Sequence, residues 1–322
     1  MSQEENNWYE SFLETIANKF PRKQDLVQEL IDLLYIEREA VYRRLRQDVF
    51  FTAHEIAKIS VAWNISLDDI LNSHNGCITF QMRKMNYVTP SDEEQLFLRK
   101  VINGIIFGRS YPNTEYMDIC NKLPRQFLAG YEYLNQFYLF KWLYQYGKEK
   151  DMVPLSKVTV SNEQSELTKE YYDAIKTVPN SNFVFDRMLF DYLVSDIQYF
   201  YSIQMITAAE KALIKQDLYD LLDYLQKMAN KGYYPETKNK VNLYVSHLHV
   251  DTNYNYVFTP EASICFVHVF EKFEIYSFNS EMFNNFRAWM QLKKRSSVQI
   301  SEVDERSRIA YFSDQRKLVD LL

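Results

Sequence analysis

Glycine, proline and cysteine are all scarce in this chain. Its 322 residues include 6 Gly, 8 Pro and 3 Cys. So few glycines exclude collagen, Gly-rich flexible linkers and a phosphate cradle of the GxGxxG or GxxxxGK(S/T) type, because neither pattern can be written from them. The three cysteines, Cys77, Cys120 and Cys265, lie far apart, are odd in number and form no CxxC, so reduced thiols in a cytosolic chain are expected. No apolar run approaches the ~20 residues that a membrane span requires, and no membrane partner is expected. The polar, acidic opening Met1–Asn7 is wrong for a secretory signal, which again points to the cytoplasm. Basic residues number 37 against 43 acidic, a net charge of −6, which argues against a surface coated all over with nucleic acid. No GxSxG elbow, HExxH or kinase motif occurs, and no repeat of fixed period. No enzyme and no cofactor are expected.

Aromatic side chains are abundant instead: 22 Phe, 25 Tyr and 4 Trp, or 16% of the chain. Tyr133, Phe137, Phe140 and Tyr144 recur at helical spacing, as do Leu189, Tyr192, Leu193, Ile197 and Phe200. Such stripes read as core between long helices rather than as a cofactor box. A flat dimer interface is the other use for so many rings.

Residues 6 to 72 read as five short helices. Trp8, Phe12, Ile16 and Phe20 mark the first, Leu26–Leu34 the second, and Glu37–Gln47 the third. Thr52-x-x-Glu55 is a capping box that opens a fourth helix, Ala53 to Trp63. Ser66 caps the fifth, Leu67–Leu71. A polar break at Asn72–Gly76 suggests a boundary, giving residues 1–75 as one domain, 76–232 as a helical body and 233–322 as a small α+β unit for sensing or dimerisation. In the body, Cys77–Met82 reads as a short strand. The remainder reads as helices at Glu93–Phe107, Tyr116–Ile119, Tyr131–Tyr146, Glu163–Ala174, Asn182–Gln204 and Ala208–Asn230. Beyond Gly232 the period changes to strands at Val241–Val250, Tyr254–Thr259, Ile264–Val269 and Phe273–Phe278. A helix from Ser280, a strand at Val298–Ile300 and a helix over Glu305–Leu322 follow. The fold class expected is therefore mainly α, ending in a small α+β unit.

The second and third helices carry the functional signal. A helix, a tight turn and a second helix bearing forward basic side chains is the arrangement that enters the DNA major groove. Arg38, Arg43, Arg44 and Arg46, with Glu39 and Gln47, are the candidate DNA-binding residues, whereas Tyr42 and Leu45 face the core. Arginine suits the task because its planar fork bonds guanine O6 and N7 bidentately, or grips phosphate.

These stretches resemble the helix-turn-helix domain of Cro/repressor-class (XRE-type) bacterial transcription regulators. The residues that carry the likeness are Leu26–Ile36, Ala40–Arg46, Glu55–Ile59 and Asn64–Leu71, the last being the most specific. Tyr42-Arg43-Arg44-Leu45-Arg46, together with Ser296–Ser301 and Glu305–Phe312, is similar to a subgroup with a long carboxy-terminal half. The resemblance implies a cytoplasmic one-component regulator that binds double-stranded operator DNA as a homodimer. Its carboxy-terminal region would dimerise or sense an effector, small molecule or protein. Two positions depart from the family: Ile31 stands where it usually has a small residue, and Tyr35 where it often has Gly. The alternative is a protein-interaction or scaffold module whose helix-turn-helix no longer binds DNA. His247 and His249, two apart on one strand, with His268 on a strand that could neighbour it, read as half-buried strand histidines rather than a metal site.

Overall fold

The computed structural model describes residues 7–63, 65–72, 80–84, 91–148, 152–269 and 273–322. The chain divides into two compact units, Met1–Thr79 and Phe80–Leu322.

The first unit holds α1 (Asn7–Ala17), α2 (Lys23–Leu34), α3 (Arg38–Leu45), α4 (Ala53–Trp63) and α5 (Leu67–Asn72). Apolar residues at three- and four-residue spacing bring one stripe of each long helix to a shared centre. Phe12, Ile16, Val27, Leu30, Val41 and Ile59 are wholly buried there. Tyr9 reaches from α1 to accept the Phe51 N–H at 2.9 Å, fixing the segment that leads into α4. The capping box is formed: the Thr52 N–H donates to Glu55 Oε2 at 2.7 Å, and the Glu55 N–H to Thr52 Oγ1 at 3.3 Å.

The second unit is built around a sheet of eight strands among the described residues. They are β1 (Gln81–Lys84), β2 (Glu115–Cys120), β3 (Asn180–Asp186), β4 (Lys240–Ser246), β5 (Tyr254–Phe258), β6 (Ser263–Val269), β7 (Phe273–Ser277) and β8 (Val298–Gln299). Their order is β1-β7-β6-β5-β2-β3-β4-β8. β2, β3 and β4 run parallel, and the remaining pairs are antiparallel. Parallel neighbours need long crossovers. α7 (Glu132–Tyr146) and α8 (Asn162–Lys176) lie between β2 and β3; α9 (Leu189–Ser202) and α10 (Ala208–Lys231) lie between β3 and β4. With α6 (Asp92–Gly108) and α12 (Glu305–Asp320), they contribute to the larger core, which contains Phe183, Phe185, Leu218, Leu222 and Phe312. α11 (Ser280–Arg295) supplies Phe283, Phe286 and Met290 to a separate core with Met117, Ile119 and Val184 of β2 and β3. α10 ends at Gly232, whose φ of 68° is the left-handed cap; a Cβ there would collide with the Glu302 side chain.

The mainly α expectation is thus corrected: the sheet is large and mixed, not a small terminal addition. Two misread segments account for the difference. Tyr116–Ile119, read as helix, belongs to β2, and Asn182–Gln204, read as one helix, is most of β3 followed by α9. All six residues of β2 are buried, so a central strand covered on both faces shows no alternation. β3 passes into α9 through only Arg187 and Met188, which lets the helical period of α9 mask the strand. The strands from Val241 onward lie where the alternation puts them, except that β4 stops at Ser246, so His247 and His249 follow the strand rather than sit on it. His268 is on β6, separated from β4 by three intervening strands. The polar break over residues 73–76 and the first part of the strand read at Cys77–Met82 lie outside the described residues.

The aromatic stripes are core except at Tyr192, which is exposed. Phe137 and Phe140 are buried, and together with Tyr144 they pack on Phe200 with ring centroids 6.1, 4.8 and 5.0 Å away. Among the described residues, no helix is long and apolar enough to cross a membrane.

Candidate nucleic-acid interface

α2 buries Leu26, Val27, Leu30 and Leu34 and leaves its other face to solvent. It stops because Tyr35 takes the left-handed conformation, with φ 56° and ψ 44°, and its N–H returns to the Ile31 carbonyl at 2.8 Å. The Tyr35 ring is 87% exposed, so packing contributes little there. A side chain in this conformation is disfavoured relative to glycine. Tyr35→Gly is expected to raise the stability of this unit by about 0.5–1 kcal/mol, read as a higher denaturation midpoint at unchanged slope. Ile31 does not prevent closure of the two helices; it is half-buried against the same core.

After Tyr35 and Ile36 the backbone extends at Glu37 and enters α3. The helix is eight residues long. Val41 is its fully buried anchor, and Tyr42 and Leu45 pack half-buried on the core beside it. α3 ends at Leu45, shorter than the Glu37–Gln47 span read from the sequence. Gln47 has φ 67° and lies in the following turn, half-buried, off the helix surface.

The arginines divide into three kinds. Arg44 is committed to the fold: Nε and Nη2 donate to the two Glu55 oxygens at 3.1 and 2.8 Å, and Nη1 to the Ala40 carbonyl at 3.2 Å. Only 16% of the Arg44 side chain and 12% of the Glu55 side chain are exposed. The fork therefore clamps α3 to α4. Burial pushes the Glu55 carboxyl up, but the bonds from Arg44 and Thr52 outweigh it and hold it below its usual range. A lowered carboxyl contributes stability that is present above about pH 4 and lost as pH falls through its folded value. Arg44→Ala leaves that enclosed carboxylate without its cation, held only by the Thr52 cap. It is expected to destabilise the five-helix unit by about 2–3 kcal/mol, measurable by urea unfolding.

Arg46 is exposed and pairs with Glu39 and Asp48, each at 3.0 Å. Exposed pairs of this kind are weak and exchange readily for another anion. Arg38 and Arg43 are exposed, and their side chains have no ion-pair, hydrogen-bonding or ring partner among the described residues. So α3 presents two uncommitted guanidinium groups, one weakly held guanidinium and one carboxylate, Glu39, on a helix fixed from behind by Val41 and Arg44. Lys58 of α4 stands 5.9 Å from the centroid of the Tyr35 ring, bringing a further cation to the turn. Glu55 is legible in the sequence as a capping residue but not as the Arg44 partner, since that pairing spans eleven residues across two helices.

The histidines do not converge. His249 Nδ1 lies 3.1 Å from Asp186 Oδ2, and His268 Nε2 lies 3.4 Å from Glu274 Oε1. Among the described residues, no group of three or more His, Cys, Asp or Glu could hold a metal ion. Cys120 and Cys265 are buried free thiols, whereas Cys77 lies outside the described residues. Comparison with known proteins found no matching family model, no matching curated protein and no matching solved structure.

Proposed function

We propose that the protein is a cytoplasmic, non-enzymatic transcription regulator that binds double-stranded operator DNA as a homodimer through α3. The observation that carries this reading is the pair of exposed arginines, Arg38 and Arg43, whose side chains have no partner among the described residues, on a short helix docked behind a tight turn. Two cations per protomer make a weak site. Dimerisation doubles them and matches the two-fold symmetry of a palindromic duplex. The Arg44–Glu55 clamp supports the reading by fixing the helix that would be inserted.

Titration of a labelled duplex at rising salt tests it. Four neutralised phosphates per dimer give a slope of about −3 to −4 in log affinity against log salt, or roughly 100-fold between 50 and 200 mM. Absence of binding at 50 mM would defeat the proposal. It would leave a second reading, a protein-interaction or scaffold module. That reading draws on the charge of this region: residues 1–75 carry 8 basic and 13 acidic side chains, a net charge of −5.

A further inference from the structure

Strand register lays a row of polar side chains across one region of the second unit's sheet. Arg83 stands opposite Glu274 on β1 and β7, Glu274 opposite His268 on β7 and β6, and Asp118 opposite Asn255 on β2 and β5. All five line one cleft, closed on its other side by Phe97 and Val101 of α6, around a cavity of about 110 Å³. Phe266 of β6 adds an aromatic wall.

Part of this row is satisfied. Arg83 Nη2 donates to Glu274 Oε2 at 2.7 Å, and its guanidinium lies 4.2 Å from the Phe97 ring centroid. The Tyr116 hydroxyl donates to Asp118 Oδ2 at 2.9 Å, and Gln126 Nε2 donates to the same oxygen at 3.1 Å. The rest is not satisfied. Asp118 Oδ1, Asn255 Oδ1 and Arg83 Nε are buried with no hydrogen-bond partner among the described residues. Asp118 is 2% exposed and Asn255 6%. Buried acceptors left unpaired are costly, and here two of them stand on facing residues of neighbouring strands with a cavity in front.

We infer that this cleft is a binding site for a small organic cation, an amine or amidine on an apolar body. Its N–H groups would bond Asp118 Oδ1 and Asn255 Oδ1 while the body lies against Phe266 and Val101. Arg83 Nε would serve an acceptor on the same molecule. The balance of charge favours a cation over a neutral donor: two carboxylates, Asp118 and Glu274, face a single guanidinium. His268 adds little positive charge, because burial holds it below its usual value despite Glu274. Burial first, and then the charge of Glu274, push the Asp118 carboxyl up to about 7, against the bonds from Tyr116 and Gln126. An ammonium beside it would stabilise the ionised form. The site lies within one unit and stands independently of the DNA-binding reading.

Calorimetric titration of the full chain with phenethylamine and benzamidine, each beside phenethyl alcohol and phenylacetate, tests the proposal. One amine or amidine is expected per chain, at least tenfold tighter than the alcohol or the carboxylate. Affinity should fall about tenfold from pH 8 to pH 6 as Asp118 takes up its proton. Asp118 faces Tyr116, Gln126, Asn255, Tyr171, Glu274, Arg83 and His268. Both tyrosines are raised well out of this range, so Asp118→Asn should abolish the pH step, whereas a step owed to His268 would survive. Asn255→Leu should weaken the amine while keeping its advantage over the carboxylate, with folding of both variants checked by circular dichroism. No heat from either cation at millimolar concentration, tighter binding of phenylacetate, or amine affinity unchanged in Asp118→Asn would overturn the proposal.

Discussion

Replacing Arg38 and Arg43 together by alanine removes the four phosphate-neutralising cations of the dimer and is expected to lower operator affinity by about 10²–10⁴-fold and to flatten its salt slope. Anisotropy titration of a labelled duplex reads this directly. Both side chains are exposed and have no partner among the described residues, so the double variant should unfold at the same urea concentration as the parent. That combination distinguishes them from Arg44. Arg44→Ala should also reduce binding, but through loss of the clamp to Glu55, and its unfolding midpoint should fall with it. Retained affinity in the double variant would mean that α3 is not the surface that meets DNA.

Phe183→Ala is the substitution with the largest expected cost to the fold. Phe183 is wholly buried on β3, between β2 and β4. Its ring centroid lies 4.9 Å from that of Phe127 and 5.6 Å from that of Tyr116. Truncation leaves a cavity and should cost about 3–5 kcal/mol. The sheet makes a stronger statement still. β2 and β3 lie inside the segment that the sequence suggests is a separate helical body, yet they pair with β5 and β4 of the following segment. The loss should therefore reach Trp289, whose ring packs on Tyr254 of β5 with centroids 4.8 Å apart. With Trp8, Trp63 and Trp142 replaced by Phe, the Trp289 fluorescence transition in urea should shift to lower concentration in Phe183→Ala. An unmoved transition would show that the strands after Gly232 are stable without β2 and β3.

Legibility followed burial. The five helices of the first unit are short, and the signals that mark them are local: the Thr52–Glu55 box of α4, the apolar spacing of α1, the break at Tyr35. β5 and β6, which keep β-branched and aromatic residues between clear turns, were equally plain. β2 and β3 were not, because a strand enclosed on both sides and surrounded by helical periods has no pattern of its own. The same limit applied at the sites. Exposure of Arg43 follows from helical spacing around Val41, but Arg38 and Arg44 both stand three residues from Val41, and which of them is buried depends on where α4 packs. The facing of Asp118 and Asn255 depends on register between strands more than 130 residues apart, which no local feature encodes.

Selection of bound duplexes from a random DNA pool, at about 50 and 200 mM salt, tests the central claim most directly. The proposed reading predicts an enriched motif of two symmetric half-sites whose recovery falls steeply at the higher salt. No enrichment at either salt would contradict it and turn the search toward protein partners of the five-helix unit.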